Sequence, residues 1–205
     1  MDILKNFVVF EGLDGSGTTT QLNTLEDFIH HVPVHKTYEP TDGIIGKMIR
    51  RCLGKEIKFT AETLAYLFAA DRNEHIFGSG GVKERCERGE IVVSDRYLLS
   101  SLVYQGLSCG EELPARLNSS FPSPELLIYF DLDAETAQKR LSRRSQKEIF
   151  EYLDFQVKAR ELYKKILRDL SSQGIKIEII DAALPPKEVT LKVRENLLNL
   201  PIFNR

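Results

Sequence analysis

The segment Gly12-Leu-Asp-Gly-Ser-Gly-Thr-Thr-Thr20 follows directly on the apolar stretch Phe7 to Phe10, and its residue types suit the binding of a polyphosphate. A strand running into Gly12, then small positions and a helix opening over Gly17 to Thr20, turns successive backbone N–H groups inward to form an anion nest. In the pattern G-x-x-x-x-G-K-[ST], Gly12 and Gly17 permit close backbone approach and Thr19 is the hydroxyl that coordinates Mg²⁺. Position 18 should carry a lysine reaching the β and γ phosphates, but this chain has Thr18 there and the loop brings no cation. The competing reading is a glycine-rich turn between any strand and helix. Gly12, Gly15, Ser16 and Gly17 behind Phe-Val-Val-Phe weigh against it.

Other residue sets have chemistry in their spacing. Asp95-Arg96-Tyr97 ends the apolar run that begins at Ile91. Asp95 there suits Mg²⁺ held through water and Arg96 a bidentate grip on phosphate, against the alternative of a structural ion pair. Phe68 and Arg72 stand four apart and share a helical face, so they either clamp a planar base by stacking and hydrogen bonding or are a core aromatic beside a surface arginine. Ser100, Ser101, Tyr104 and Gln105 form a polar set on the next helix, and the Gln105 amide can pair with an amide edge. Lys139 to Lys147 (KRLSRRSQK) holds five cations. It reads as a solvated helix face or as a lid whose Arg140, Arg143 and Arg144 neutralise charge on phosphates.

The elements that position these sets follow from periodicity. Short apolar runs at Phe7 to Phe10, Val32 to Tyr38, Ile91 to Ser94, Leu126 to Leu132 and Ile175 to Ile180 each read as a strand buried on both faces. Helical periodicity separates them at Gln21 to Ile29, Gly43 to Leu53, Glu62 to Arg88, Ala134 to Arg143, Glu148 to Leu170 and Lys187 to Leu198. The alternation predicts an α/β fold, a parallel sheet with helices on both faces. Ligands then bind beyond the carboxyl ends of the strands, where Glu11 to Thr20, Glu39 to Asp42, Asp95 to Tyr97, Asp131 to Asp133 and Asp181 fall. Gly78 to Gly81 breaks a helical pattern as a turn or kink rather than a domain boundary.

At 205 residues the chain fits one α/β domain, which at this size buries about 70% of its unfolded surface. The balance of 28 basic against 30 acidic residues creates no global basic field and disfavours wrapping of long nucleic acid. Cys52, Cys86 and Cys109 lack zinc spacing and are odd in number for a disulfide framework, so they read as thiols of a reducing compartment. The amino-terminal segment shows neither a signal-peptide design nor a bilayer-length apolar run, and a soluble cytoplasmic protein with no membrane partner is expected.

Taken in order, FEGLDGSGTTTQL, EPTDGIIGKMIR, LFAADRNEH, SDRYLLSSLVYQG, YFDLDAETAQKRL and DAALPPKEV resemble the thymidylate kinases, P-loop nucleoside monophosphate kinases. The resemblance implies one domain over 1–205, a three-layer α/β/α P-loop kinase fold with a central parallel five-stranded sheet and a lid at about 142–151. It implies transfer of the γ-phosphoryl of ATP to dTMP, with Mg²⁺, on a homodimer. Carried over, Phe68 stacks on thymine while Arg72 and Gln105 bond its edge. Asp14 sits near the sugar hydroxyl and acceptor phosphate, Arg96 holds the monophosphate, and Glu39, Pro40, Ser100 and Tyr104 shape the acceptor pocket. Gly12, Gly15, Ser16, Gly17, Thr18, Thr19 and Thr20 cradle the ATP phosphates, Arg140 and the turn at Asp181 flank adenine, and Thr19 with Asp95 holds the metal. Asp14, Arg96, Arg143 and Arg144 are the implied catalytic residues.

Three departures accompany the resemblance. Thr18 replaces the loop lysine, Tyr38 stands where bacterial members place an arginine before Glu39-Pro40, and the lid reads Lys147-Glu-Ile-Phe-Glu151 in place of Asp-Arg-x-Glu. A charge-assisted hydrogen bond contributes about 1.5 to 3 kcal/mol, so losing one in the transition state slows turnover by about 10- to 150-fold. Arg143, Arg144 or Lys147 replacing the loop cation is the expectation for an active enzyme. A catalytically silent nucleotide-binding homologue and a kinase for another deoxynucleoside monophosphate are the alternatives.

Overall fold

The computed structural model describes residues 2–141, 150, 152–172 and 174–204. Strands β1 (Ile3–Gly12), β2 (Val34–Tyr38), β3 (Ile91–Asp95), β4 (Ser123–Asp131) and β5 (Ile177–Asp181) form one sheet in the order β2-β3-β1-β4-β5. Every pairing is parallel, as the alternation of runs and helices predicts. Phe10 lies opposite Asp95, Tyr38 opposite Asp95, Gly12 opposite Phe130 and Asp131 opposite Asp181. The strand ends that carry the candidate residues therefore lie along one edge.

Helices α1 (Thr18–Asn23), α2 (Ile44–Leu53), α3 (Ala61–Phe77), α4 (Val82–Glu87), α5 (Leu98–Cys109), α6 (Glu112–Asn118), α7 (Ala134–Leu141), α8 (Leu153–Ser172) and α9 (Pro186–Leu198) connect and cover the strands. The period-2 geometry of a strand divides the core. Phe7 and Val9 of β1 join Val92, Ile76 and Val82 in one cluster, whereas Val8 and Phe10 join Ile91, Val93 and residues of α5, α8 and α9 in the other. Each fully buried Phe contributes about 1.5 to 3 kcal/mol by leaving water, and Phe7 and Phe10 are both in this state.

Two expectations about the elements change. Burial on both faces holds for β3 and the carboxyl half of β1, but β2 and β5 are the sheet edges and are only partly buried. An edge strand has a neighbour on one side only, which its own apolar content does not reveal. The helical pattern from Glu62 to Arg88 is two helices, α3 and α4, broken at the predicted glycine turn, where Gly80 has φ +69°. Thr60 caps α3 by accepting the N–H of Thr63 at 3.2 Å, a bond that satisfies one orphan donor of the first turn. Among the described residues no helix is long and apolar enough to cross a membrane.

Candidate active site

A cavity of about 910 Å³ opens at the carboxyl ends of the strands. Its walls include Asp14, Gly15, Ser16, Gly17, Thr18, Thr19 and Thr20, together with Glu39, Pro40, Phe68, Arg72, Asp95, Arg96, Ser100, Tyr104, Gln105 and Arg140. Nearly all the residues singled out from sequence thus share one space. Arg143, Arg144 and Lys147 lie outside the described residues.

The phosphate loop is built by steric need as much as by polarity. Gly15 and Gly17 have φ of +86° and +98°, the left-handed region that glycine enters without strain. A Cβ at Gly12 would lie 2.5 Å from Ser16 Oγ and 2.9 Å from Phe130 O. Gly12 does not line the cavity, and its part is to let the loop turn against β4. Ser16 Oγ is buried with no hydrogen-bond partner among the described residues. Thr18 is also buried, at the start of α1. Arg140 donates to Gly15 O at 3.4 Å and to Ala182 O at 3.0 Å, joining the loop to the turn after β5. Asp181 faces away from this space: it accepts the N–H of Ala183 at 2.9 Å and lines a second, smaller cavity, while Ala182 and Leu184 line the first.

Thr19 and Asp95 come together across the loop, with Thr19 Oγ1 donating to Asp95 Oδ2 at 2.5 Å. Asp95 Oδ1 is buried and has no partner among the described residues. Buried polar atoms are normally satisfied, and one free carboxylate oxygen beside a hydroxyl fits a small, hard cation that keeps most of its other ligands as water and phosphate. The donor set therefore fits Mg²⁺.

Arg96 lies between the loop and the far half of the cavity, and its backbone is left-handed, with φ +76°. Such a conformation costs a non-glycine residue about 1 to 3 kcal/mol and persists where surrounding bonds over-determine it. Here Arg96 N donates to Phe10 O at 2.8 Å and Arg96 O accepts from Ser94 Oγ at 2.8 Å. The turn aims the guanidinium back at Gly12 O, 3.0 Å, Ser100 Oγ, 3.1 Å, and Asp14 Oδ1, 2.5 Å. Burial alone would lower its pKa, but Asp14, Tyr104, Tyr163 and Asp95 push it well above the ordinary arginine value, so Arg96 stays charged. Beneath it Glu11 is fully buried. Its carboxylate accepts from Tyr97 N at 2.9 Å, Ser100 N at 3.1 Å, Ser100 Oγ at 2.6 Å and Tyr163 Oη at 3.3 Å. Burial pushes the Glu11 carboxyl up to about 7 despite those donors and Arg96.

Phe68 is partly buried, on the cavity wall. Arg72, read as a surface arginine or as a donor to a base, is neither exposed nor free: it is 1% exposed and anchored on several sides. Nε and Nη2 donate to Glu39 Oε2 at 3.0 and 2.6 Å, Nη1 to Asn118 Oδ1, and Nη2 also to Tyr97 O and Ser101 Oγ. Its guanidinium lies 5.3 Å from the Tyr97 ring centre and 5.8 Å from that of Phe121. Glu39 also meets His75 Nδ1 at 3.0 Å. Burial raises the Glu39 pKa, but Arg72 and His75 outweigh it and hold the carboxyl below its ordinary value. Gln105 lines the same end, with Oε1 buried and unpartnered among the described residues.

Sequence reasoning missed several contributors. Arg50 lines the cavity, donates to Pro40 O and sits 5.2 Å from the centre of the Tyr38 ring. Its signal was available, because α2 begins a few residues after Glu39-Pro40 and Arg50 lies on it. Asn118 and Gln156 carried no such signal. Gln156 is fully buried and bridges Phe150 O, 2.6 Å away and six residues before it, to Asp14 Oδ2, 3.2 Å away and 142 residues before it.

The geometry agrees with what comparison with known proteins finds. Residues 10–193 match the family model described as thymidylate kinase. A putative thymidylate kinase of Treponema pallidum (strain Nichols) is 47% identical over 173 residues, covering 82% of each chain. A probable thymidylate kinase of Pyrobaculum aerophilum is 38% identical over 190 residues, 92% of this chain and 94% of its own, and one of Methanococcus maripaludis (strain S2 / LL) is 42% identical over 166 residues, 80% and 78% respectively. With a match to the family model over most of its length and a phosphate loop that opens into the same cavity as Arg96, Phe68 and Gln105, this chain belongs to the thymidylate kinase family.

Proposed function

We propose that the protein transfers the γ-phosphoryl group of ATP to dTMP, giving ADP and dTDP. The observation that carries this reading is the continuity of the cavity: a phosphate loop at one end, a Phe68 and Gln105 pocket at the other, and Arg96 between them. Phosphoryl transfer asks for alignment of two phosphates and neutralisation of charge rather than covalent work by the protein.

In this reading the loop from Gly15 to Thr20 orients the donor phosphates, with Arg140 and the Ala182 and Leu184 turn beside adenine. Thr19 and Asp95 would hold Mg²⁺, which when bound neutralises charge on the donor phosphates. Arg96 holds the acceptor phosphate, fixed by Asp14 and Ser100, and Arg50 brings the guanidinium that Tyr38 does not supply before Glu39. Phe68 offers a stacking face. The unpartnered Gln105 Oε1 suits an N–H on the edge of a pyrimidine. Arg72 shapes that end of the pocket, its position fixed by Glu39 and Asn118. A homodimer accompanies the proposal, supported by Ile44 and Met48 of α2 and Tyr66 of α3, which are exposed at 86%, 39% and 51%.

An ADP-release assay with purified protein, ATP, Mg²⁺ and dTMP should show turnover that exceeds the Arg96→Ala variant, with dTMP preferred in competition among nucleoside monophosphates. Turnover no higher than Arg96→Ala with every monophosphate would refute the proposal. Thr18 favours a second reading, a silent nucleotide binder, which calorimetric binding of ATP without transfer would support.

A further inference from the structure

We propose that Gln156 is a positioning residue for phosphoryl transfer: its amide ties the Asp14 carboxylate, and through it Arg96, to the backbone of Phe150. The proposal rests on the kinase reading above. Gln156 lies in the first turn of α8 and is 0% exposed. Its Nε2 donates both to Phe150 O at 2.6 Å and to Asp14 Oδ2 at 3.2 Å. Both partners are acceptors only, so the amide nitrogen is the end that must face them. The consequence is that Gln156 Oε1 is turned to where no donor among the described residues meets it. Leaving a buried acceptor unsatisfied is costly, so the amide is held by its two donor bonds against a penalty at its other end.

Those two bonds lead into the site. The other Asp14 oxygen, Oδ1, accepts from Arg96 Nη2 at 2.5 Å, and Arg96 Nη1 is anchored on Gly12 O and Ser100 Oγ. Phe150 is itself fixed, stacked on Phe155 with ring centres 5.0 Å apart and 5.4 Å from Tyr104. Asp14, Arg96, Tyr104 and Phe150 line the cavity, whereas Gln156 stands behind them. It therefore acts through Asp14 rather than on a ligand: without the amide, among the described residues Asp14 keeps its bond to Arg96 but loses the one that sets its rotation.

The test uses the full chain with Gln156→Glu and Gln156→Met, and steady-state kinetics from about pH 5.5 to 8.5 with the wild type measured at every pH. An ionised Glu sets two carboxylates face to face and cannot donate to Asp14, while a protonated Glu can. Among the described residues, the charged or titratable groups that face Asp14 are Arg96 and Tyr104, with Glu11 and Tyr163 beside Arg96; they are common to wild type and variant, so the ratio of the two isolates position 156. For Gln156→Glu, kcat/KM for dTMP should be about tenfold or more below wild type at pH 8 and recover to within about threefold at pH 5.5. Gln156→Met, similar in size and apolar, should stay low throughout, with kcat reduced as well as KM raised. A Met variant with wild-type constants, or a Glu ratio that is flat with pH, overturns the proposal. If the Glu variant unfolds at pH 8, the Met variant decides alone. A wild type that neither turns over nor binds dTMP in calorimetry overturns the kinase reading and this role together; variants indistinguishable from an active wild type overturn the role only.

Discussion

Replacing Glu11 with Gln should flatten the pH dependence of folding stability, and the size of the effect follows from its surroundings. Glu11 is fully buried at the carboxyl end of β1, and burial raises its carboxyl from 4.5 to about 7 in the folded chain. Below about pH 4.5 the folded and unfolded states are both protonated and the residue contributes no pH dependence. Between about 4.5 and 7 the unfolded chain releases its proton while the folded chain retains it, so stability falls as pH rises; above about 7 the fall levels off. A displacement from 4.5 to about 7, at about 1.4 kcal/mol per pH unit, amounts to about 3 kcal/mol in all. The Gln side chain is nearly isosteric. Its carbonyl can accept the Tyr97 and Ser100 N–H groups, and its NH₂ faces the Ser100 and Tyr163 hydroxyls, which rotate to accept. Urea unfolding of both proteins from about pH 4.5 to 8.5 measures the difference directly. Wild type should lose about 3 kcal/mol more than Glu11→Gln across that range. Parallel curves would refute the reasoning, because they would mean that the four donors and Arg96 hold the carboxyl at its unfolded value.

Two further outcomes test the polar framework of the site. Arg72→Met leaves Glu39, whose side chain is 2% exposed, with only His75 beside it, and removing one partner of a buried ion pair costs about 3 to 5 kcal/mol; urea unfolding should show a loss of that order, and the double variant Glu39→Gln, Arg72→Met should recover most of it. Thr18→Lys should change kcat by less than about tenfold, about 1.4 kcal/mol, because Arg140 already stands against the loop; a larger gain in the ADP-release assay would show that the loop position itself must be charged.

The sheet was legible because the interior strands announce themselves. Phe7 to Phe10 and Ile91 to Ser94 are apolar on both faces, and a carboxylate just beyond such a run falls on the ligand edge of a parallel sheet. Strand rank was not legible, since β2 and β5 differ from the interior strands by where their neighbours lie and not by a distinct pattern. The same division runs through the site. Asp14, Asp95 and Arg96 could be placed on the cavity from sequence because they adjoin strand ends, while Asn118 and Gln156 lie on helices remote in sequence and meet Arg72 and Asp14 only on folding. Arg72 shows how the contacts decide a role: spacing placed it on the face of Phe68, but the partners that immobilise it are Glu39 just after β2, Ser101 on α5 and Asn118 on α6.

The absence of a loop lysine is then best considered through the partners of the arginines around the cavity. Arg72 faces Glu39 and Arg96 faces Asp14, and a carboxylate at such distances cancels most of the field a guanidinium sends elsewhere. Arg140 and Arg50 are bound differently. Arg140 donates to the carbonyls of Gly15 and Ala182, and Arg50 to the carbonyl of Pro40 while resting over the Tyr38 ring. Carbonyls and aromatic faces orient a guanidinium without neutralising its unit charge. Among the described residues these two arginines therefore have no carboxylate against them, one beside the phosphate loop and one beside Pro40, while the proposed phosphate holder, Arg96, lies between them paired with Asp14. Positive charge missing from position 18 does not have to be restored at position 18: a phosphoryl group in transit responds to the summed potential at its oxygens, and under the proposed function Arg140, which donates to Gly15 O of the loop, adds to that potential as well as flanking the donor base.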